Sequence, residues 1–81
     1  MPPRQPREIT TSGLVDYAGK EVTLETRWSV EDWETELVDL KLDGKDLANE
    51  SDLASLIGHD EARDSLTQLM RRAQDNFNAG G

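Results

Sequence analysis

His59 is the only histidine in the chain, and it is the first residue to consider for acid–base or metal chemistry. Carboxylates follow it closely at Asp60, Glu61 and Asp64, and imidazole together with carboxylates is a common set of metal ligands. His59 comes directly after Gly58, at the predicted start of a helix, so we expect an exposed junction residue. The chain has no cysteine, which excludes thiolate metal sites, thiol catalysis and disulfide scaffolds.

A second pattern is similar to a calcium-binding loop. Asp39, Asp43, Gly44 and Glu50 occupy positions 1, 5, 6 and 12 of the EF-hand spacing. The pattern fails at position 3, where Lys41 would repel a cation, and Asp43-Gly44 is better explained as a tight hairpin turn. The sequence contains no serine-centred nucleophile motif and no glycine-rich phosphate loop. It therefore predicts a protein that is not an enzyme and uses neither a cofactor nor a metal.

The first half of the chain predicts β-strands. The clearest signal is an alternation of apolar and polar residues whose apolar members are Val22, Leu24, Thr26, Trp28 and Val30. This places Trp28 in the core. A similar alternation from Ile9 to Tyr17, interrupted at Leu14, predicts a preceding strand. The turn at Ala18-Gly19-Lys20 would join the two strands into an antiparallel hairpin.

The segment from Thr35 to Leu42 has two interpretations. As a strand, it alternates charged residues with Val38, Leu40 and Leu42. As a helix, it would carry one apolar stripe made of Val30, Trp33, Leu37 and Leu40. The helix leaves Val38 and Leu42 off the stripe, so the strand is preferred. A turn from Glu31 to Glu34 would then precede it.

The last third of the chain predicts two helices. Asn49 or Ser51 can cap a short helix that ends at Gly58. The longer helix that follows has an apolar stripe made of Ala62, Leu66, Leu69, Met70, Ala73 and Phe77. Arg71 and Arg72 are expected toward its C-terminal end, where the helix dipole favours cations.

These elements predict the α+β fold class and one domain. We expect a small antiparallel sheet of two to four strands, then a short helix and a longer C-terminal helix packed on one face. The compact domain spans residues 8–78. Met1 to Arg7, which contain all three prolines, are expected to form a flexible basic arm, and residues 79–81 a frayed tail.

Charge is the most informative feature of the sequence. The 81 residues carry a net charge of −8, and the segment from Glu31 to Asp64 alone holds twelve acids against three bases. We expect an acidic face that binds a positively charged groove on a protein partner. The residues predicted to make contact are Glu31, Asp32, Trp33, Glu34, Glu36 and Asp39. The alternative is an ordinary solvated surface that serves solubility.

The excess of acidic over basic residues also indicates which kind of partner to expect. Binding to a phosphate backbone is driven by Lys and Arg, so direct contact with nucleic acid is not expected.

The longest apolar runs are pairs such as Leu56-Ile57, whereas a membrane span needs about 20 apolar residues. We therefore expect a soluble protein.

In type, the chain resembles small bacteriophage-encoded inhibitors of host defence or transcription, including anti-CRISPR proteins. The resemblance implies a protein of the bacterial cytoplasm that occupies a basic nucleic-acid-binding surface of its target. One alternative is a structural or assembly protein that forms homo-oligomers through an exposed sheet edge. A more remote alternative is a carrier, because the terminal Gly80-Gly81 is similar to that of ubiquitin-like and sulfur-carrier proteins.

Overall fold

A computed structural model describes residues 7–31 and 34–79 of the chain. Its elements are β1 (Arg7–Tyr17), β2 (Lys20–Val30), β3 (Thr35–Leu42), β4 (Lys45–Leu47), α1 (Glu50–Ile57) and α2 (His59–Ala79). The strands form one antiparallel sheet in the order β1-β2-β3-β4. The predicted α+β class, with a short helix before a long one, is confirmed.

Two tight hairpins set the register of the sheet. Ala18 and Gly19 join β1 to β2 with φ angles of 54° and 77°. Asp43 and Gly44 join β3 to β4 with φ angles of 51° and 81°. Two consecutive positive φ values are the signature of type I′ turns, which match the right-handed twist of the strands they connect. Both turns lie where the sequence predicts them.

The disputed segment is a strand, as preferred from the sequence. The main-chain N–H of Glu31 donates to the carbonyl oxygen of Glu34 at 2.8 Å, which closes the connection between β2 and β3. The strand then begins at Thr35; Asp32 and Trp33, the two central residues of the predicted turn, lie outside the described residues.

A β-bulge changes the direction of one side chain in β3. Arg27 of β2 lies opposite Asp39, but the next residue, Trp28, lies opposite Leu37. Val38 is the extra residue of the bulge. It is 46% exposed, while Leu40 is buried. The expectation that Val38 shares a face with Leu40 is therefore wrong, because the bulge shifts the alternation by one residue.

The core lies between one face of the sheet and α2. The predicted helical stripe is confirmed, since Ala62, Leu66, Leu69, Ala73 and Phe77 are buried and Met70 packs against them partly buried. The sheet contributes Ile9, Val15, Val22, Leu24, Trp28, Val30, Leu40 and Leu42. Burying these side chains requires that α2 cover this face, which leaves the opposite face of the sheet without a helical layer.

A chain of hydrogen bonds runs through this core. The indole N–H of Trp28 donates to the Thr26 hydroxyl oxygen at 2.7 Å, and the Thr26 and Thr11 hydroxyls lie 2.9 Å apart. Thr11 in turn donates to the main-chain carbonyl oxygen of Leu69 at 3.1 Å. No buried side-chain polar atom in the described part of the chain lacks a hydrogen-bond partner. These polar groups therefore add specificity to the core without the free-energy penalty of a buried, unpaired donor or acceptor.

The first helix is capped at both ends. The Asn49 side chain accepts a hydrogen bond from the main-chain N–H of Asp52 at 3.1 Å, which identifies Asn49 rather than Ser51 as the N-cap. Gly58 ends the helix with a φ of 96°, and its N–H donates to the carbonyl oxygen of Ala54 at 2.8 Å. A positive φ here favours glycine.

The second helix extends two residues beyond Phe77, the last residue of its apolar stripe. It continues to Ala79, and its last turn has no basic residue. Arg71 and Arg72 therefore lie near the middle of α2, and their predicted role at the end of the helix dipole is wrong. Arg7, which the sequence predicts as part of the flexible arm, is the first residue of β1. Residues 1–6, Gly80 and Gly81 lie outside the described residues.

Candidate functional site

The face of the sheet opposite α2 is not part of the core. Side chains alternate across a strand, so every second residue of each strand points to this side. Val38 is added to them by the bulge in β3. We call this surface the open face; it consists of Glu8, Thr10, Ser12, Leu14, Asp16, Glu21, Thr23, Glu25, Arg27, Ser29, Glu36, Val38, Asp39, Lys41 and Asp46. All of these residues are exposed or half-buried.

The open face is strongly acidic. Its seven carboxylates are balanced by only two cations, Arg27 and Lys41, which gives a net charge of −5. Neighbouring strands lie about 4.8 Å apart, and side chains on one face recur about every 6.8 Å along a strand. The sheet therefore holds these charges in a fixed array, where their fields add.

Both cations of the open face are engaged in ion pairs. The Arg27 guanidinium lies 3.4 Å from a Glu8 carboxylate oxygen and 3.2 Å from one of Asp39. The Lys41 ammonium lies 3.9 Å from a carboxylate oxygen of Asp46. These pairs are partly exposed and contribute little stability, and they place the two cations beside three of the carboxylates.

The other four carboxylates of the open face have no cation beside them among the described residues. Asp16, Glu21, Glu25 and Glu36 make no ion pair with any cation of the described residues. Asp16 of β1 lies directly opposite Glu21 of β2. Like charges in directly opposite positions destabilise a sheet. The fold thus maintains a repulsive pair on an exposed surface.

The residues predicted from the sequence to bind a partner occupy two adjoining places. Glu36 and Asp39 lie on the open face, where Asp39 is held by Arg27 and also accepts the main-chain N–H of Leu40 at 3.1 Å. Glu31 and Glu34 are exposed at the β2–β3 turn. Asp32 and Trp33, the other two predicted residues, lie outside the described residues.

The turn acids border a shallow depression beside the end of α2. It has a volume of about 240 Å³ and is lined by Glu31, Glu34, Thr35, Phe77 and other residues. The Gln74 side chain donates to the Thr35 hydroxyl at 2.9 Å across it. This contact joins α2 to the start of β3 and fixes the end of the sheet where the acidic turn lies.

Sequence reasoning missed part of the acidic surface because it counted charge along the chain. The segment from Glu31 to Asp64 does not form one face, since its helical acids, Glu50, Asp52, Asp60, Glu61 and Asp64, lie on α1 and α2. The residues missed were Glu8, Asp16, Glu21 and Glu25. Their signal was present in the polar positions of the β1 and β2 alternation, which share one face of a hairpin.

The other chemical candidates have simple structural roles. His59 is exposed and is the first residue of α2, as predicted for a junction residue. Asp43-Gly44 forms the β3–β4 hairpin turn. Within residues 7–31 and 34–79, no three His, Cys, Asp or Glu side chains are grouped so that they could hold a metal ion. Neither helix is long and apolar enough to cross a membrane in the part of the chain described.

Protein-family models, curated proteins and solved structures contain no match to this chain. A function must therefore be argued from the chemistry of the open face and the turn beside it.

Proposed function

We propose that the protein is a small, non-catalytic binding module that attaches its open face, together with the acidic β2–β3 turn, to a basic surface of a protein partner. The observation that carries this proposal is the uncovered sheet face with a net charge of −5. Fixed acidic arrays attract basic partners, speed their capture and select against acidic ones.

The spacing of the acids supports a partner that normally binds nucleic acid. A Lys- and Arg-rich groove is matched to a regular series of phosphates, with one charge per about 3.4 Å of each strand. On the open face, Asp16 and Glu21 lie directly opposite each other, about 5 Å apart, and Glu25 lies four residues, about 14 Å, further along β2. A groove that binds phosphates can therefore engage several of these carboxylates at once, and the protein would compete with nucleic acid for it.

The repulsion within the open face favours binding over simple solubility. A surface that serves solubility intersperses charges of both signs. Here Asp16 and Glu21 face each other without an ion pair to any cation of the described residues, an arrangement that destabilises the sheet. A basic partner would relieve this repulsion on binding.

In its most specific form, the proposal describes an inhibitor of the bacteriophage-encoded type, such as an anti-CRISPR protein, acting in the bacterial cytoplasm. Its target would be a complex that handles nucleic acid, and the inhibitor would occupy the basic channel of that complex. Glu31, Asp32, Trp33 and Glu34 would extend the contact beyond the sheet. Trp is enriched at the energetic centres of interfaces, which supports Trp33 as an anchor.

The proposal is tested by capture from bacterial lysate with three proteins compared side by side. They are the wild type, the variant Glu21→Lys/Glu25→Lys, and the matched control Asp64→Lys/Asp75→Lys. All four substituted residues are exposed, and none has an ion pair among the described residues. Both variants change the net charge equally, but only one alters the open face.

We expect the wild type and the α2 control to retain a nucleic-acid-binding complex that high salt releases. The Glu21→Lys/Glu25→Lys variant should lose it. Free nucleic acid added to the lysate should reduce capture by the wild type. Equal retention by all three proteins would contradict the proposal, because the open face would then not be the contact surface.

A further inference from the structure

The outer side of β1 is an unpaired sheet edge. No described strand lies beyond it in the order β1-β2-β3-β4. The tight turn at Ala18-Gly19 makes Tyr17 and Lys20 a hydrogen-bonded pair, and such pairs alternate along antiparallel strands. The even-numbered residues of β1 therefore direct their main-chain groups away from β2. The Ser12 carbonyl confirms this direction, because it accepts from the Arg72 guanidinium at 3.0 Å.

This edge lacks the usual protection against pairing with another strand. Natural edge strands are kept apart by charged side chains, proline, bulges or short length. The central segment of β1, from Ile9 to Val15, has neither a charged residue nor a proline, and its pairing with β2 is continuous over all eleven residues. Among the described residues, only Arg72 donates to an outward main-chain group of this segment, the Ser12 carbonyl oxygen, which can accept a second hydrogen bond.

An exposed leucine lies near the C-terminal end of this segment. Leu14 is 63% exposed and is the most exposed large apolar side chain of the described residues. It lies on the open face, with Thr23 opposite it on β2. It therefore interrupts a polar surface beside the β1 edge, where a further strand can be added.

Charge favours a second copy of this chain as the occupant. The flank of α2 beside the edge consists of Ser65, Gln68 and Arg72, which line a groove of about 160 Å³ with Gly13 and Leu14. Together with residues 11–17 of β1, this flank carries one carboxylate, Asp16, and one cation, Arg72, so the strip is neutral. Two copies with a net charge of −8 repel each other least where these strips meet.

We propose that two copies of the protein associate through antiparallel pairing of β1 with β1, about a two-fold axis at Leu14. Each Leu14 then covers the other, and Ser12 of each copy lies opposite Asp16 of the other. The shared patch is self-complementary, as a two-fold interface requires. The two sheets become one, and their open faces form one larger surface. This inference uses the sheet edge and is independent of the proposed function.

The association is tested by sedimentation of the full chain from about 1 µM to about 1 mM, which covers weak dissociation constants. We expect dimers for the wild type and monomers for Leu14→Lys, which places two like charges at the axis. Val38→Lys is the matched control, since Val38 is also an exposed apolar residue of the open face. This control should remain dimeric. A wild type that stays monomeric over this range, or a dimeric Leu14→Lys variant, would overturn the proposal.

A second pair of variants tests strand pairing itself. Ser12→Pro removes an N–H that points away from β2, so the β1–β2 ladder stays intact, whereas Ser12→Ala keeps the N–H. We expect Ser12→Pro to be monomeric and Ser12→Ala to be dimeric, both with the circular dichroism spectrum of the wild type. A Ser12→Pro chain that still forms dimers would overturn pairing through β1.

Discussion

The hydroxyl of Thr11 donates a hydrogen bond to the main-chain carbonyl oxygen of Leu69, at 3.1 Å. This contact joins the edge strand β1 to the middle of α2. The neighbouring inward position is Gly13, where a Cβ atom would lie in ordinary van der Waals contact, 3.5 Å, with a Leu69 methyl group. The helix is thereby held against one face of the sheet, and the acidic residues are left on the other.

The buried hydrogen bonds should contribute measurably to stability. Thr11→Val keeps the shape of the side chain but removes the donor to Leu69, so we expect a loss of about 1–2 kcal/mol. Trp28 keeps its shorter bond to Thr26, which limits the loss. Urea denaturation measures the change. Thr10→Val is the control, because Thr10 is exposed on the same strand, and this variant should unfold within about 0.5 kcal/mol of the wild type.

Replacing one member of the repulsive pair should raise stability while it weakens binding. Glu21→Lys places a cation opposite Asp16, and an opposite-charge pair contributes roughly 0.2–1 kcal/mol. We expect a higher urea midpoint in low salt and a smaller gain in high salt, because salt screens surface charges. A lower midpoint in low salt would show that Asp16 and Glu21 do not repel each other in the folded protein.

The turn between β1 and β2 is strained at Ala18, and a substitution there can relieve the strain. Ala18 has a φ of 54°, a left-handed conformation that costs a residue with an L-configured Cβ about 1–2 kcal/mol. Asn tolerates this conformation and forms the favoured Asn-Gly type I′ pair. Ala18→Asn should therefore stabilise the fold by about 0.5–1 kcal/mol. Thermal unfolding tests this against Ala48→Asn, since Ala48 has no positive φ and should show no gain.

The capping assignment can be checked with two alanine substitutions. Asn49→Ala removes the side chain that accepts the Asp52 N–H, and we expect a loss of about 1 kcal/mol. Ser51→Ala changes a residue inside the first turn of α1 and should be nearly neutral. Equal losses in urea denaturation would contradict the assignment of Asn49 as the cap.

Much of the fold could be predicted because local patterns and tertiary packing agree. The alternation in β2, the glycine-containing turns and the apolar stripe of α2 each imply the same two-layer arrangement. The sequence could not place Val38, because the two adjacent apolar residues Leu37 and Val38 fit either phase of a strand. The bulge that separates them depends on the pairing with β2.

The candidate site was less predictable than the fold. Charge counted along the chain identifies an acidic segment, but a surface is defined by which residues share a face. Glu21 and Glu36 are far apart in sequence, yet both belong to the open face once β2 pairs with β3. The compensation of Asp39 by Arg27 also depends on this pairing. Neither relationship follows from spacing within one element.

The open face is the surface proposed to bind a basic ligand. The most direct measurement is a titration of the isotope-labelled protein with an oligolysine peptide in low salt, followed by amide chemical shifts. We expect the largest shifts at Asp16, Glu21, Glu25 and Glu36 and their neighbours, with loss of the shifts in high salt. The largest shifts at the α1 and α2 acids, Glu50, Asp60 and Glu61, would contradict this proposal, because the peptide would then follow negative charge elsewhere.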